Sequence, residues 1–286
     1  MDTEVNAFEP VAARPEAPAL EKGLDLLEAL AGTATGLTQA ELARQVGRSV
    51  GEIFRMLATL ERRGYVTRDG RSGEYSLSLR LFQLAAQHPP ARRMQQAALP
   101  VMEALAAQLG QSCHLGMVHG EHFIIVAQAE AGTPMGWVVR LGAVFPCSAR
   151  YVSARVLAAF QGERRRGELA ALLARQDGSA LGDVLARLDH IAAAGYDMAP
   201  SEVVVGLTDI SCPVLDHDGQ AVAALTVPFF PGLGQPADLS VPLAALREAA
   251  ATISRKLGNP PERDEPADGH VPERAQRRPA RGRTMD

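Results

Sequence analysis

LTQAELARQVGRSVGEIFRMLATLERRGYVTR, Leu37 to Arg68, carries two helix-start signals in close succession. Thr38 and Glu41 form a T-x-x-E capping box, in which each side chain satisfies an amide that the first helical turn leaves without a partner. Gly47 permits a tight turn, and Ser49 with Glu52 repeats the device as S-x-x-E. Two short capped helices joined by a turn of about three residues match helix-turn-helix spacing.

The second helix predicts its own orientation. At about 100° per residue, Ile53, Leu57 and Leu60 fall within one arc, with Val50 and Met56 on its flanks. Arg55 and Arg62 lie together on the opposite side, with Gly51, Glu52 and Thr59 nearby. One face is core and the other is polar and partly cationic. Upstream, LEKGLDLLEALAG places Leu20, Leu24 and Leu27 at helical spacing, with Gly32 as a stop. Downstream, GYVTRDGRSGEYSL reads as a hairpin whose Gly- and Asp-rich turn carries Arg68 and Arg71. A helix-turn-helix followed by a basic-tipped hairpin is a winged helix, and its loop fits contact with phosphates or the minor groove.

The whole chain has 29 basic and 33 acidic residues, a formal net charge of −4, which is an odd balance for a partner of DNA. The charge is unevenly placed. From Leu42 to Arg93 the arginines are Arg44, Arg48, Arg55, Arg62, Arg63, Arg68, Arg71, Arg80, Arg92 and Arg93, against the acids Glu52, Glu61, Asp69 and Glu74. Affinity for DNA follows local phosphate neutralisation and counterion release, so the acidic total is no objection. The candidate DNA-contacting residues are Arg44, Arg48, Ser49, Val50, Gly51, Glu52, Arg55, Thr59 and Arg62 on the helices, and Arg68 and Arg71 on the hairpin. A winged helix used for protein contacts is the alternative, and it would not need helix, wing and linker to be basic together.

Length and composition set the frame for the rest. A chain of 286 residues holds two domains or one large one. Apolar residues make up 47% and charged residues 22%, as in an ordinary globular protein. Cys113, Cys147 and Cys212 form no C-x-x-C, which argues against a disulfide framework or zinc ribbon. No apolar run is long enough for a membrane span and no secretory signal is visible, so a soluble, cytoplasmic protein is expected. Residues 1–18 and 259–286 are rich in Pro and charge and poor in large apolar side chains, and are expected to be disordered. The last part, Arg274 to Arg283, is basic, either as a solubilising tail or as an auxiliary DNA contact.

The double proline of HPPARR, His88 to Arg93, marks the internal boundary, because it ends the helix expected over Leu77–Leu84 and suits the first turn of another. Pro100 should kink or split that second helix. The expected organisation is a winged helix-turn-helix at 19–80, a helical linker at 81–110 and a larger domain at 111–258. In that domain 111–130 alternates as two strands around a turn at His119-Gly120-Glu121, and 136–142 is a further strand candidate. Residues 151–195 are helical, and LTDISCPVLDHDGQAVAALTV is a hairpin with DHDG as its turn. A last amphipathic helix covers about 239–257. The fold class is α+β, and a sheet of this kind with helices on one face commonly opens its pocket on the other.

The stretch from Leu37 to Arg68, followed by GEYSLSLRLFQLA, resembles the DNA-binding domain of the IclR family of bacterial transcriptional regulators. CHLGMVHGEHFIIVAQ resembles the first hairpin of that family's effector domain, RLGAVFPCSARYVSARVLAAF its pocket loop and helix, and GYDMAPSEVVVGLTDISCPVLDHDGQAVAALTV its closing strands. The resemblance covers about 20–258. It implies a winged helix, a linker helix and a GAF-like α/β effector-binding domain, assembled as a homodimer or homotetramer on double-stranded, palindromic operator DNA. No cofactor is expected, and with no apolar run long enough to span a bilayer no membrane partner is expected either.

The resemblance also implies a pocket, and the chain departs from the family pattern there. The pocket loop reads Cys147-Ser148-Ala149-Arg150-Tyr151 where the family commonly has a His-Ala-Thr-Ala-like run. Asp209 stands where a pocket Cys is frequent, Ala199 where keto-acid binders carry a carboxylate, and Thr226 and Pro228 where two serines are usual. Small keto acids therefore fit poorly. The candidate effector-contacting residues are Trp137, Cys147, Ser148, Ala149, Arg150, Tyr151, Asp209, Ser211 and Thr226. Arg150 could clamp a carboxylate through its bidentate fork or pair with Asp209, while Trp137 and Tyr151 could stack on a ring. The expected effector is a small, possibly aromatic, organic acid.

The Cys113, His114, His119 and His122 cluster invites a metal reading, but His114 and His119 point to opposite faces of a strand. No metal site is expected. An enzyme on the same scaffold is the competing class, and the chain shows no G-x-S-x-G, phosphate-cradling glycine loop or HExxH.

Overall fold

The structure, a computed structural model, describes residues 17–87, 89–134, 136–230 and 238–260. The leader and tail expected to be disordered lie almost wholly outside the described residues.

The N-terminal unit is built as the capping signals require. Helix α1 (Pro18–Ala31) is followed by α2 (Gln39–Gln45) and α3 (Val50–Arg62), and both capping boxes form. At α3 the Ser49 N–H donates to Glu52 Oε2 at 2.9 Å, and the Glu52 N–H donates back to Ser49 Oγ at 3.4 Å. Strands β1 (Val66–Arg68) and β2 (Tyr75–Leu77) pair antiparallel as the wing. Leu26, Leu30, Leu42, Ile53, Leu57, Val66 and Tyr75 close a small core. The α1 reading needs correcting. The buried positions are Leu26 and Leu30, whereas Leu20 and Leu24 are exposed. The helix is apolar on two faces, and periodicity alone does not say which one packs inward.

Helix α4 spans Arg80–Gln87 and α5 spans Pro89–Leu109. The first starts later than expected because Leu77 is used by β2. Helix α5 runs through Pro100 without being split there. The larger unit then forms one six-stranded sheet in the order β5-β4-β3-β8-β7-β6, with every neighbouring pair antiparallel. Its strands are β3 (Cys113–His119), β4 (His122–Ala129), β5 (Val144–Pro146), β6 (Asp197–Pro200), β7 (Thr208–Leu215) and β8 (Ala221–Phe229). Between β5 and β6 run α6 (Val152–Ala159), α7 (Glu163–Asp177) and α8 (Leu181–Ala194), and α9 (Ser240–Lys256) ends the described fold.

Residues 136–142 are not a strand. Gly142, at φ +79°, turns the chain, and backbone bonds with Ile125 dock this segment against β4 before β5 begins at Val144. The expectation of helices on one face is also corrected, because both faces are covered. Along β8, Ala223, Leu225 and Val227 pack into the core shared with α5 and α9, whereas Ala224 packs toward α6, α7 and α8. Alternation along the strand sends successive side chains to opposite layers.

A buried ion pair joins the second layer to the sheet. Arg155 on α6 donates through Nε to Asp197 Oδ2 on β6 at 2.6 Å, and Arg187 on α8 reaches Asp197 Oδ1 at 2.7 Å. Arg155 also donates through one terminal nitrogen to the carbonyls of Ala149 and Arg150. Removing one member of such a pair leaves the other charge buried and uncompensated, which costs about 3–5 kcal/mol. Arg155→Ala is therefore expected to lower the chemical-denaturation stability of the larger unit by that order. Arg187→Ala, which removes an exposed partner, should cost much less.

A basic helix face and a cavity behind the sheet

The exposed side of α3 carries Gly51, Arg55, Thr59 and Arg62, as the helical wheel requires. Arg44 on α2, Arg48 in the turn and Arg71 at the wing tip are also exposed. Among the described residues, Arg48, Arg55, Arg62 and Arg71 form no ion pair. Other candidates are already committed within the fold. Glu52 accepts from Ser49 and from Lys22 Nζ at 3.1 Å, which ties α1 to α3. The Ser49 bonds, helped by Lys22, hold its carboxyl down at about 2. The Thr59 hydroxyl donates to the Arg55 carbonyl at 2.9 Å. Arg68 lies over the Tyr75 ring, 5.5 Å from its centroid, and so braces the wing. Asp69 accepts the amides of Arg71 and Ser72 and shapes the turn that presents Arg71.

The second feature is a cavity of about 420 Å³ between the sheet and α6. One wall is aromatic. Phe123 and Phe145 stack at 5.0 Å between centroids, and the Tyr151 ring meets them at 5.5 and 5.6 Å. The segment Trp137–Arg140 and residues Ser201 and Val203 form the outer side, with Arg140 exposed at the mouth.

The floor is polar and comes from the row of cross-strand neighbours His114 on β3, Thr226 on β8 and Ser211 on β7. Ser153 on α6 is hydrogen-bonded to Thr226 Oγ1 at 2.8 Å, and Thr226 donates to Ser211 Oγ at 2.8 Å. Two ionisable groups lie at this floor. His114 is buried, its Nδ1 has no hydrogen-bond partner, and burial pushes its pKa down to about 4, so the ring is neutral. Burial raises the Asp209 carboxyl above its usual range, against a Ser201 hydrogen bond and the Arg155 charge.

Of the residues expected to contact an effector, Trp137, Tyr151, Asp209 and Thr226 line this cavity. Ser211 stands behind Thr226 as its acceptor. The pocket loop is turned differently from expectation. Cys147 is fully buried in the core beside Phe123 and Ala154. Ser148 is buried and accepts the Arg150 amide at 3.2 Å. Ala149 presents its carbonyl to Arg155. Arg150 is exposed and does not line the cavity, and its carbonyl is also held by Arg155. Asp209 is influenced by Arg155 rather than paired with Arg150.

His114, Phe123, Arg140, Phe145, Ser153 and Ser201 line the cavity without having been singled out as ligand contacts. His114 did have a signal, an inward-facing histidine on a strand that pairs with the final hairpin. Arg155 had one too, as a lone cation in the small-residue helix VSARVLAA.

A basic-faced winged helix joined to a cavity-bearing domain is the build of a DNA-binding transcriptional regulator. Residues 19–70 match the IclR helix-turn-helix domain, and residues 91–255 match the bacterial transcriptional regulator IclR C-terminal domain. The chain belongs to the IclR family. It is 26% identical over 254 residues to the HTH-type transcriptional regulator XynR of Escherichia coli, covering 86% of this chain and 99% of that one. It is 28% identical over 249 residues to the glycerol operon regulatory protein of Streptomyces coelicolor, covering 84% and 96%. Among solved structures, the Thermotoga maritima IclR aligns with a TM-score of 0.68 at 21% identity, covering 84% of this chain and 98% of that chain. An IclR homolog from Microbacterium hydrocarbonoxydans complexed with 4-hydroxybenzoate aligns at 0.67 and 22%, with the same coverage. No helix among the described residues is long and apolar enough to cross a membrane.

His114 gives a pH prediction. Its folded pKa lies below the ordinary value of 6.5, so between these values the unfolded chain binds a proton that the folded chain does not. Stability then falls as pH is lowered from 6.5 toward 4 and this contribution levels off below. In urea melts across that range, His114→Phe is expected to show a shallower loss than the parent protein.

Proposed function

We propose that the effector is a compact aromatic acid that also carries a hydroxyl or similar polar group. The observation that carries this reading is the opposition, across one cavity, of three packed aromatic rings and a floor of hydroxyls with a neutral imidazole whose Nδ1 has no partner. A cavity of about 420 Å³ is within the range of small-ligand sites, roughly 300–1,000 Å³. The ring of the ligand packs on Tyr151 and Phe145. Its hydroxyl meets the hydrogen-bonding groups of Ser153, Thr226 and His114.

A carboxylate at that floor would face Asp209, so the anionic end lies outward, toward Arg140. This replaces Arg150 as the cation for the carboxylate. It also disfavours small keto acids, which have no ring to fill the aromatic side. The chain acts as a regulator rather than an enzyme, with Arg48, Arg55, Arg62 and Arg71 as the DNA-facing cations. It works in the cytoplasm as a homodimer or homotetramer on palindromic DNA. Leu20 and Leu24 on α1, together with Leu79 beside α4 and Phe82 on it, are large apolar side chains left exposed, as expected of surfaces that meet a second copy.

The test is a thermal-shift screen of organic acids on the full chain, with its mass measured by sedimentation equilibrium. Hydroxylated aromatic acids, 4-hydroxybenzoate among them, are expected to raise the melting temperature, because ligand at about 100 times its Kd stabilises the native state by roughly 2.7 kcal/mol. Thr226→Val should reduce that shift at equal ligand, and the mass should be at least that of a dimer. Stabilisation by glyoxylate or pyruvate, with none from aromatic acids, would contradict the effector class. A monomer mass would contradict the assembly.

A further inference from the structure

We infer that α3 reads thymine through the 5-methyl group, using an apolar pair made by Val50 and Phe54 at its N-terminal end. This rests on the chain being a DNA-binding protein and specifies what its recognition helix recognises.

Phe54 is 56% exposed and Val50 is 46% exposed. They stand four apart on α3, so their side chains are neighbours on one helix face. Neither is needed for packing, because Ile53 and Leu57 fill the core side and are fully buried. A large exposed aromatic ring gains free energy when a partner covers it, by roughly 25 cal/mol per Å² of apolar surface buried.

Apart from the arginines, the polar side chains of the same stretch are already committed. Glu52 is bound by Ser49 and Lys22, Thr59 by the Arg55 carbonyl, and the Gln39 amide donates to the Val50 carbonyl at 3.2 Å. What this end of α3 offers a base edge is therefore mainly apolar. Gly51 lies beside the pair, and a Cβ built there would meet no heavy atom within 4 Å, so the backbone is open to close approach.

Two facts choose duplex DNA as the occupant over an apolar protein surface. Arg48 and Arg55 stand next to the pair in sequence and Arg62 follows two turns on, all exposed, and their positive charge complements phosphates. The pair also sits at the N-terminal end of the second helix of a helix-turn-helix, the part that meets base edges in the major groove. The thymine methyl is the apolar feature displayed in that groove, and Phe and small apolar side chains are suited to it.

The test uses the full chain. Duplexes that it binds are selected from a random library at low salt, and the preferred sequence is resynthesised with deoxyuridine replacing thymidine one position at a time. This keeps base pairing and removes only the methyl. At one or two positions in each half-site the affinity is expected to fall by about fourfold, the size of burying one methyl group. Phe54→Ala should bind the thymine duplex more weakly, melt at the parent temperature and show no difference between thymine and uracil at those positions. Phe54→Leu should keep part of the difference.

The inference is overturned if uracil binds as well as thymine everywhere, if the preferred sequence has no thymine under α3, or if the uracil penalty survives in Phe54→Ala. A change of oligomeric mass in Phe54→Ala would assign the ring to a contact between copies and overturn it as well. Failure to enrich any duplex would instead strike at the DNA-binding reading itself.

Discussion

The guanidinium of Arg155 holds together the parts of the larger unit that matter most for a ligand. It pairs with Asp197 on the edge strand β6 and donates to no other carboxylate among the described residues. It also takes the carbonyls of Ala149 and Arg150, and so fixes the path of the loop that leads into α6. That loop ends at Tyr151, one of the three rings of the cavity wall. Two residues before Arg155 on the same helix, Ser153 meets the hydroxyl of Thr226 on the sheet. A buried charge satisfied on several sides sets a single arrangement of loop, helix and edge strand, whereas one left half-satisfied would be costly. The cavity is a consequence of that arrangement.

The N-terminal unit depends on shorter-range chemistry, and so it could be read from sequence almost completely. Both capping boxes involve residues three apart, and both form as the T-x-x-E and S-x-x-E patterns require. The core and polar faces of α3 followed from helical period alone. The burial of α1 did not, because Leu20 and Leu24 fit the period as well as Leu26 and Leu30 do. Only packing against α3 and the wing decides between the two sets. Phe54 escapes the helical wheel for a similar reason, since sorting residues into core and polar faces leaves no place for an aromatic that belongs to neither.

The candidate cavity was half legible. Trp137, Tyr151, Asp209 and Thr226 could be placed there, while Cys147, Ser148, Ala149 and Arg150 build the loop rather than face the space it borders. The bond that turns this loop comes from Arg155, and the acid balancing Arg155 is 42 residues further along. Neither local pattern nor spacing reports such a partner. His114 was visible as a strand histidine, but its unpartnered nitrogen and depressed pKa follow from a sheet row whose other members come from the final hairpin. The strand expected at 136–142 failed because apolar alternation there serves a docked loop that Gly142 bends onto β4.

A regulator requires that the cavity and the basic helix face be coupled, since a ligand can shift an equilibrium only by its differential affinity for two states. Coupling of this kind is typically about 5- to 150-fold in affinity and is reciprocal between the two ligands. The most direct measurement is the affinity of the full chain for its selected duplex, with and without the aromatic acid that stabilises it most, repeated with Thr226→Val. The account predicts a change of at least about fivefold in the parent protein and a much smaller one, at the same ligand concentration, in the variant. A ligand that occupies the cavity and stabilises the protein while leaving DNA affinity unchanged would contradict it.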